Sequence, residues 1–282
     1  MDALVTTEWL ANELGANDLR VVDATYFGSV PGSPDGDPAV AFEKAHIPGA
    51  VFFDIDANAD RTVDLPHMLP TPEAFAAMAG RLGLSRDATL VAYDSLGIRA
   101  AARVWWTLRV MGFPEVRVLD GGLKAWRAAG LPLEAGDVTL VATRLEPRFD
   151  AELVRNVDDV RAILESGSAQ MVDARSAARF RGEAPEPRAG LRSGHMPGAR
   201  NVPFDALLTA EGTLKSADEI ARLFQAADVD LNRPVVTTCG SGVTASVLAL
   251  GLARTGRQRT PVYDGSWSEW GGLADAPVVT GP

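Results

Sequence analysis

The order of motifs in the first half of the chain recurs in its second half. Residues 21–24 (Val-Val-Asp-Ala) return as residues 171–174 (Met-Val-Asp-Ala). The loop at 46–50 (His-Ile-Pro-Gly-Ala) returns at 195–199 as His-Met-Pro-Gly-Ala. The offset between paired landmarks stays between 144 and 150 residues along the chain, which indicates a duplicated unit. A chain of 282 residues is long enough for two such units of ordinary domain size.

Each copy alternates short apolar, β-branched runs with longer helical stretches. Thr71 precedes Pro72 at a predicted helix start, as an N-cap precedes proline at the first helical position. The matching position in the second copy is Ser216, which forms a capping-box pattern with Glu219. Strands that alternate with helices predict an α/β fold, here two tandem domains, each a mainly parallel sheet flanked by helices.

The domain boundaries follow from where this alternation stops. A stretch with Pro147 and several acidic residues, without clear periodicity, separates the two copies. The sequence therefore predicts an N-terminal domain over residues 1–135, a linker over 136–152 and a C-terminal domain over 153–282.

The only cysteine of the chain, Cys239, lies between a predicted strand and a predicted helix. Residues 234–238 read as a buried parallel strand, and residues 243–254 read as an apolar helix. Gly240 and Gly242 let the backbone curl tightly between them. Several N–H groups and the helix dipole then favour a thiolate at this position, so we expect a nucleophile rather than a core cysteine.

Composition excludes several functions. The net charge is −10 and no basic run stands out, which disfavours nucleic-acid binding. One cysteine rules out an intramolecular disulfide. Three histidines without ligand spacing make a metal site unexpected, and no motif calls for a cofactor. We expect no signal peptide at the N-terminus, no membrane span and a cytoplasmic protein.

The residue that matches Cys239 in the first copy is Asp94, at an offset of 145. A carboxylate cannot perform thiol chemistry, so the first domain is expected to keep the fold without the activity. Two tandem copies, an inert first copy and the loop Cys-Gly-Ser-Gly-Val-Thr at 239–244 resemble a two-domain rhodanese-type sulfurtransferase. The run at 263–270 (Tyr-Asp-Gly-Ser-Trp-Ser-Glu-Trp) resembles the C-terminal signature of that family, and the loops at 46–50 and 195–199 resemble its other signature.

Within this family, the loop form at 239–244 resembles that of members acting on 3-mercaptopyruvate. The resemblance implies that Cys239 takes sulfur from this donor, carries it as a persulfide and releases pyruvate. The implied acceptors are a small thiol, a thioredoxin-like protein or cyanide. A doubly charged thiosulfate would favour added positive charge in the loop, and Gly240 and Ser241 supply none.

The resemblance also assigns residues to the donor. It implies that Arg179 and Arg188 hold the donor's carboxylate and carbonyl, a task that suits the guanidinium group. The rest of the implied donor-binding set is the loop itself, Gly240, Gly242, Val243 and Thr244. By composition alone, both arginines are also compatible with solvated surface positions. Arg181 has a weaker claim to the donor, with an ion pair to Glu183 or Glu186 as the alternative.

A proton relay is implied by the same resemblance. Asp56 and His67 match an acid and a histidine that reach the loop serine, here Ser241. Together they would form a Ser-His-Asp relay that delivers a proton to the departing enolate. A histidine after proline is equally compatible with a loop residue that bonds to backbone.

Three other functions stay open. Thiosulfate:cyanide sulfurtransfer would use the same persulfide. A phosphatase or arsenate reductase would need an arginine that closes the loop, and no arginine follows Cys239 until Arg254. A non-catalytic sulfur carrier or regulatory module would keep the cysteine but turn over no donor.

Overall fold

The computed structural model describes residues 2–28, 36–136, 138 and 140–282. Met1, residues 29–35, Asp137 and Thr139 lie outside the described residues, and with them parts of the predicted N-terminal domain and linker. The chain forms two compact units. The first comprises residues 1–60, 69–150 and 210–214, and the second comprises residues 61–68, 151–209 and 215–282.

The strands of the first unit form one sheet in the order β1-β5-β4-β2-β3 among the described residues. They are β1 Leu4–Val5, β2 Leu19–Asp23, β3 Val51–Phe52, β4 Thr89–Tyr93 and β5 Val116–Leu119. Every pairing is parallel, and the longest, between β2 and β4, aligns Leu19 with Thr89 and Asp23 with Tyr93.

The described strands of the second unit form a sheet in the matching order β6-β10-β9-β7-β8. They are β6 Val154–Arg155, β7 Gln170–Asp173, β8 Arg200–Asn201, β9 Val235–Thr238 and β10 Val262–Tyr263. These pairings are parallel too, with Asp173 aligned to Thr238. Two α/β units with parallel sheets of the same strand order confirm the predicted fold and the duplication.

Helices connect the strands of each sheet, as parallel pairing requires. In the first unit they are α1 Thr7–Glu13, α2 Pro38–Lys44, α3 Pro72–Arg81, α4 Ala100–Val110 and α5 Gly122–Ala128. In the second unit they are α6 Val157–Ser166, α7 Ala177–Arg181, α8 Ala217–Ala226, α9 Ala245–Arg254 and α10 Ser266–Trp270. Within the described residues, no helix has both the length and the apolar character needed to cross a membrane.

The predicted helix starts at the two caps are confirmed. The Thr71 hydroxyl accepts a hydrogen bond from the Ala74 N–H, and Ser216 forms a complete capping box with Glu219. The predicted start of α9 at residue 243 was two residues too early, because residues 243 and 244 form a turn before the helix.

Each unit has its own apolar core. Tyr93 and Trp126 belong to the core of the first unit, while Tyr263, Trp267 and Trp270 belong to that of the second. All five side chains are almost fully buried. At roughly 25 cal/mol per Å² of apolar surface removed from water, these large aromatic side chains are among the main contributors to the stability of each unit.

The two repeated histidines tie a loop to neighbouring backbone in each unit. His46 Nδ1 lies 2.8 Å from the Phe42 carbonyl oxygen and its ring stacks on the Phe42 ring. His195 makes the same pair of contacts with Phe180. Because the arrangement recurs in both copies, it supports a structural role for these histidines.

In the portion of the chain that the structure describes, Asp23, at the end of β2, lacks an arginine partner of the kind that its counterpart Asp173 has in Arg175. The Asp23 carboxylate accepts the Thr25 N–H at 2.8 Å. Among the described residues, no arginine side chain donates to it. Burial raises the pKa of Asp23 above its ordinary value, only partly offset by hydrogen bonds from Thr25 and Tyr93. The folded state therefore favours the protonated carboxyl.

Replacing Asp23 with asparagine should change how stability depends on pH. Because the pKa is raised on folding, wild-type stability contributed by this group is fully present at low pH and falls as pH rises through the folded-state value. The Asp23→Asn variant lacks this penalty, so its Tm relative to wild type should increase between about pH 4 and pH 7. Thermal unfolding across this range tests it. Asp18→Asn, at an exposed position, is the control, and a Tm difference independent of pH would contradict the assignment.

Candidate functional site

The loop from Cys239 to Thr244 joins β9 to α9 at the carboxyl end of the second sheet. β9 is buried throughout its length, and the first nine residues of α9 are buried as well, so both ends of the loop are fixed in the core. Gly242 has a left-handed backbone with φ of 78°, a conformation that glycine adopts without strain. Cys239 itself is 2% exposed.

The N-terminus of α10 holds the first two carbonyls of this loop. The Cys239 carbonyl accepts the Trp267 N–H at 3.0 Å. The Gly240 carbonyl accepts both the N–H and the hydroxyl of Ser268, at 2.8 and 2.7 Å. The Cys239 N–H in turn donates to the Ser266 hydroxyl at 3.2 Å. The Ser-Trp-Ser segment at 266–268 therefore fixes the loop through its backbone.

Three backbone N–H groups further along the chain, at the end of the loop and the start of α9, differ from the Cys239 N–H in their hydrogen bonding. Within the described part of the chain, none of the N–H groups of Ser241, Thr244 and Ser246 donates to a protein acceptor outside the helix ladder. Buried N–H groups in folded proteins are normally paired. An unpaired set at the start of a helix is suited to holding an anion.

The first unit shows what these N–H groups bind in the same loop. The Asp94 carboxylate is 1% exposed and accepts the N–H groups of Leu96, Arg99 and Ala101 at 2.8, 2.9 and 2.8 Å. At the repeat offset of 145, these three residues correspond to Ser241, Thr244 and Ser246. In the first copy a carboxylate of the protein thus accepts from these N–H groups. In the second copy the corresponding N–H groups have no acceptor among the described residues.

Arg179 lies directly against the loop, as the sequence predicted for a donor-binding residue. A Cβ atom added to Gly240 would be 3.1 Å from Nη2 and 4.0 Å from Nη1 of Arg179. The absence of a side chain at Gly240 therefore makes room for the guanidinium group. Glu186 holds the other edge of that group, with Nε and Nη2 of Arg179 at 3.2 and 2.5 Å from its carboxylate oxygens.

Arg188 and His67, also predicted, contact each other in the second unit. Nη2 of Arg188 lies 3.5 Å from Nε2 of His67, whose residue is 6% exposed and has φ of 61°. A guanidinium group only donates, so this contact suits a His67 ring with an unprotonated Nε2. Residues 61–68, with His67 among them, belong to the unit that carries Cys239.

The described hydrogen bonds of the predicted relay residues lie within each unit. The Ser241 hydroxyl has no hydrogen-bond partner among the described residues, so no bond to His67 is present. Asp56 belongs to the first unit, where its N–H donates to Asp54. The relay of Asp56, His67 and Ser241 therefore stays a prediction.

Arg181 pairs with Glu183 rather than facing the loop. Nε and Nη2 of Arg181 each lie 2.8 Å from a Glu183 oxygen in an exposed ion pair. Of the two partners that the sequence suggests for Arg181, the structure shows Glu183.

Arg175 is a buried residue that the sequence reasoning missed. Its guanidinium group binds the Asp173 carboxylate through Nε and Nη2, the Gly194 carbonyl through Nη2 and Glu186 through Nη1 at 2.7 Å. Its Cζ also lies 4.2 Å from the centre of the Trp267 ring. Burial alone would lower the pKa of Arg175, but Asp173 and Glu186 raise it, so the charge is retained.

One signal in the sequence could have indicated Arg175. The strand that ends in Asp-Ala-Arg at 173–175 matches Asp-Ala-Thr at 23–25. Threonine in the inert copy and arginine in the copy with the cysteine distinguish this position from those that only maintain the fold.

Among the described residues, no three or more His, Cys, Asp or Glu side chains group together as potential metal ligands.

Comparison with known proteins identifies the family. The model of the rhodanese-like domain matches residues 6–129 and again residues 156–273, which together span most of the chain. The chain belongs to the rhodanese family. Its relatives include a 3-mercaptopyruvate sulfurtransferase from Escherichia coli K12, 44% identical over 97% of this chain and 96% of that protein. The human 3-mercaptopyruvate sulfurtransferase is 44% identical over 95% of this chain and 91% of the relative.

The structural comparison agrees with the sequence relatives. The rhodanese-fold crystal structure of SseA, a 3-mercaptopyruvate sulfotransferase from Escherichia coli, matches with a TM-score of 0.86 at 42% identity. The match covers 95% of this chain and all of that one. The chain is thus a sulfurtransferase with two rhodanese domains, and the comparisons support a small-molecule sulfur donor.

Removing the Asp94 carboxylate should destabilise the first domain, because it leaves three buried N–H groups without an acceptor. We expect Asp94→Ala to lower the free energy of unfolding of that domain by about 1–3 kcal/mol, the cost of leaving buried polar groups unpaired. Urea unfolding followed by tryptophan fluorescence measures this. Asp87→Ala, at an exposed position, is the control, and equal stability of the two variants would contradict the role of Asp94.

Proposed function

We propose that this protein transfers sulfur from 3-mercaptopyruvate to a thiol acceptor through a persulfide on Cys239. The relatives named 3-mercaptopyruvate sulfurtransferase support this donor. The observation that supports the chemistry most directly is that the N–H groups of Ser241, Thr244 and Ser246 have no acceptor among the described residues. The corresponding N–H groups of the first domain donate to the Asp94 carboxylate. In our proposal, the Cys239 thiolate and its persulfide are the anions that the N–H groups of Ser241, Thr244 and Ser246 stabilise.

The first half-reaction forms one S–S bond and breaks one C–S bond. The Cys239 thiolate attacks the donor sulfur, and the electron pair of the C–S bond moves into the carbonyl to give pyruvate enolate. A proton then converts the enolate to pyruvate. Arg179 and Arg188 hold the donor carboxylate, and the loop residues Gly240, Gly242, Val243 and Thr244 surround the sulfur through their backbone.

In the second half-reaction an acceptor thiolate attacks the outer sulfur of the persulfide. A new acceptor persulfide forms and the Cys239 thiolate is regenerated, so no external oxidant or reductant is needed. A small thiol and a thioredoxin-like protein suit this step as acceptors. Cyanide would attack the same outer sulfur through its carbon atom and leave as thiocyanate, which also regenerates the Cys239 thiolate. The relay of Asp56, His67 and Ser241 is our proposal for the source of the enolate proton.

We propose the same division of the chain into an inert domain, a linker and an active domain that the sequence predicts. Residues 1–135 form an inert domain with Asp94 in place of the cysteine, residues 136–152 link the domains, and residues 153–282 carry the activity. We also propose that the protein acts in the cytoplasm, a reducing compartment that keeps a catalytic thiol free.

Intact mass spectrometry tests the nucleophile. After incubation with 3-mercaptopyruvate in the absence of acceptor, the wild-type protein should gain the mass of one sulfur atom, while Cys239→Ala gains none. Because the persulfide is a covalent intermediate, steady-state rates with a small-thiol acceptor should show ping-pong kinetics. A ternary-complex pattern without any persulfide would overturn the mechanism. A persulfide that forms but never turns over would favour a sulfur carrier.

The choice of donor separates the proposal from its nearest competitor. Some relatives are named thiosulfate/3-mercaptopyruvate or thiosulfate sulfurtransferase, among them an Arabidopsis thaliana protein that is 42% identical and a Gallus gallus protein that is 40% identical. We expect kcat/KM for 3-mercaptopyruvate to exceed that for thiosulfate, because the loop adds no cationic side chain after Cys239. Parallel assays with both donors and cyanide as acceptor measure the ratio, and a preference for thiosulfate would contradict the proposal.

A further inference from the structure

Glu186 is a buried carboxylate that joins two arginines of unequal exposure. Its side chain is 1% exposed, that of Arg175 is fully buried and that of Arg179 is 20% exposed. Oxygen Oε1 accepts from Nη1 of Arg175 and Nε of Arg179, and Oε2 accepts from Nη2 of Arg179. A carboxylate with this many charge-assisted bonds fixes the direction of the outer guanidinium group.

Arg175 gives Glu186 a rigid support. Four of its contacts, to Asp173, Gly194, Glu186 and the Trp267 ring, come from different segments of the second unit. The four charges of Asp173, Arg175, Glu186 and Arg179 sum to zero, which limits the cost of burying them. Arg179 is thus the exposed end of a neutral, hydrogen-bonded network whose other members are buried.

The geometry leaves one edge of Arg179 for a ligand. A guanidinium group has five N–H donors in a fixed plane, and Glu186 takes the Nε donor and one Nη2 donor. The remaining donors, on Nη1 and Nη2, have no hydrogen-bond acceptor among the described residues. These are the two nitrogens nearest to the missing Cβ of Gly240. A carboxylate above the loop would therefore meet a bidentate pair of donors.

The duplication acts as an internal control for this network. The first unit has the same strand, the same buried aspartate and the same loop geometry, yet Thr25 occupies the position of Arg175. The fold itself therefore does not need an arginine there. The arginine accompanies the cysteine, which indicates a task in the reaction rather than in the architecture.

We propose that Glu186 and Arg175 are positioning residues that turn the Nη1–Nη2 edge of Arg179 toward the donor carboxylate above Gly240. This inference rests on the proposed function, in which Arg179 binds that carboxylate. Neither residue touches the reacting sulfur. Their effect is on how firmly a carboxylate donor is held.

The test compares two variants of the same type in one segment. Glu186→Gln keeps the size of the side chain but removes its charge, so it should raise KM for 3-mercaptopyruvate about tenfold and change kcat much less. Glu183→Gln removes the partner of the exposed Arg181 three residues away and should leave both parameters unchanged. Equal kinetics of the two variants would overturn the positioning role.

A second donor separates positioning from general damage. Inorganic polysulfide loads sulfur onto a thiolate by S–S exchange and has no carboxylate, so its rate of persulfide formation should be the same in Glu186→Gln and wild type. A parallel loss with both donors would show that the variant only disturbs the fold and would overturn the proposal. If Glu186→Gln does not fold, Glu186→Asp, which keeps the charge on a shorter arm, should show the same rise in KM confined to 3-mercaptopyruvate. Its absence would equally overturn the role.

Failure of the proposed function itself would look different. In that case the wild-type protein would gain no sulfur from 3-mercaptopyruvate, whatever residue stands at 186. If only the positioning role fails, the wild-type enzyme turns over 3-mercaptopyruvate, and Glu186→Gln and Glu183→Gln show the same kinetics.

Discussion

The loop around Cys239 depends on hydrogen bonds from α10 to two of its carbonyl oxygens. Parallel pairing aligns Val262 of β10 with Thr237 of β9, so the segments that follow these strands meet at one edge of the sheet. The N-terminus of α10 then donates to the carbonyls of Cys239 and Gly240. The first of these bonds recurs in the other domain, where the Leu123 N–H donates to the Asp94 carbonyl at 3.0 Å. Sheet order therefore determines the shape of the loop, and both domains inherit it.

The two copies solve the same electrostatic problem in opposite ways. A curled loop at the start of a buried helix gathers N–H groups that are costly to leave unpaired. In the first domain the Asp94 carboxylate satisfies them permanently, which favours stability. In the second domain, the N–H groups of Ser241, Thr244 and Ser246 have no acceptor among the described residues, so the domain lacks that stabilisation and keeps these donors for the sulfur anion that we propose. Reduced local stability is common at sites that bind a transient charge.

Local patterns predicted what local interactions determine. The caps at Thr71 and Ser216, the strand that leads to Cys239 and the repeated histidine loops all follow from residues close together in sequence. The network of Arg175 and Glu186 did not, because its partners come from separate segments and buried ion pairs leave no periodic pattern. The grouping of residues 61–68 with the second unit is likewise a consequence of packing between distant segments.

The same network bears on why the loop carries glycine after the cysteine. A side chain at position 240 would meet the guanidinium group of Arg179, so the cation next to the loop comes from α7 and the loop itself stays neutral. That cation is planar, anchored by Glu186 and presents two parallel donors, a geometry that matches a carboxylate. A basic side chain in the loop would instead offer a less directed charge close to the sulfur. In our proposal, selectivity among anionic donors then depends on whether the positive charge lies on α7 or in the loop, as well as on the number of positive charges.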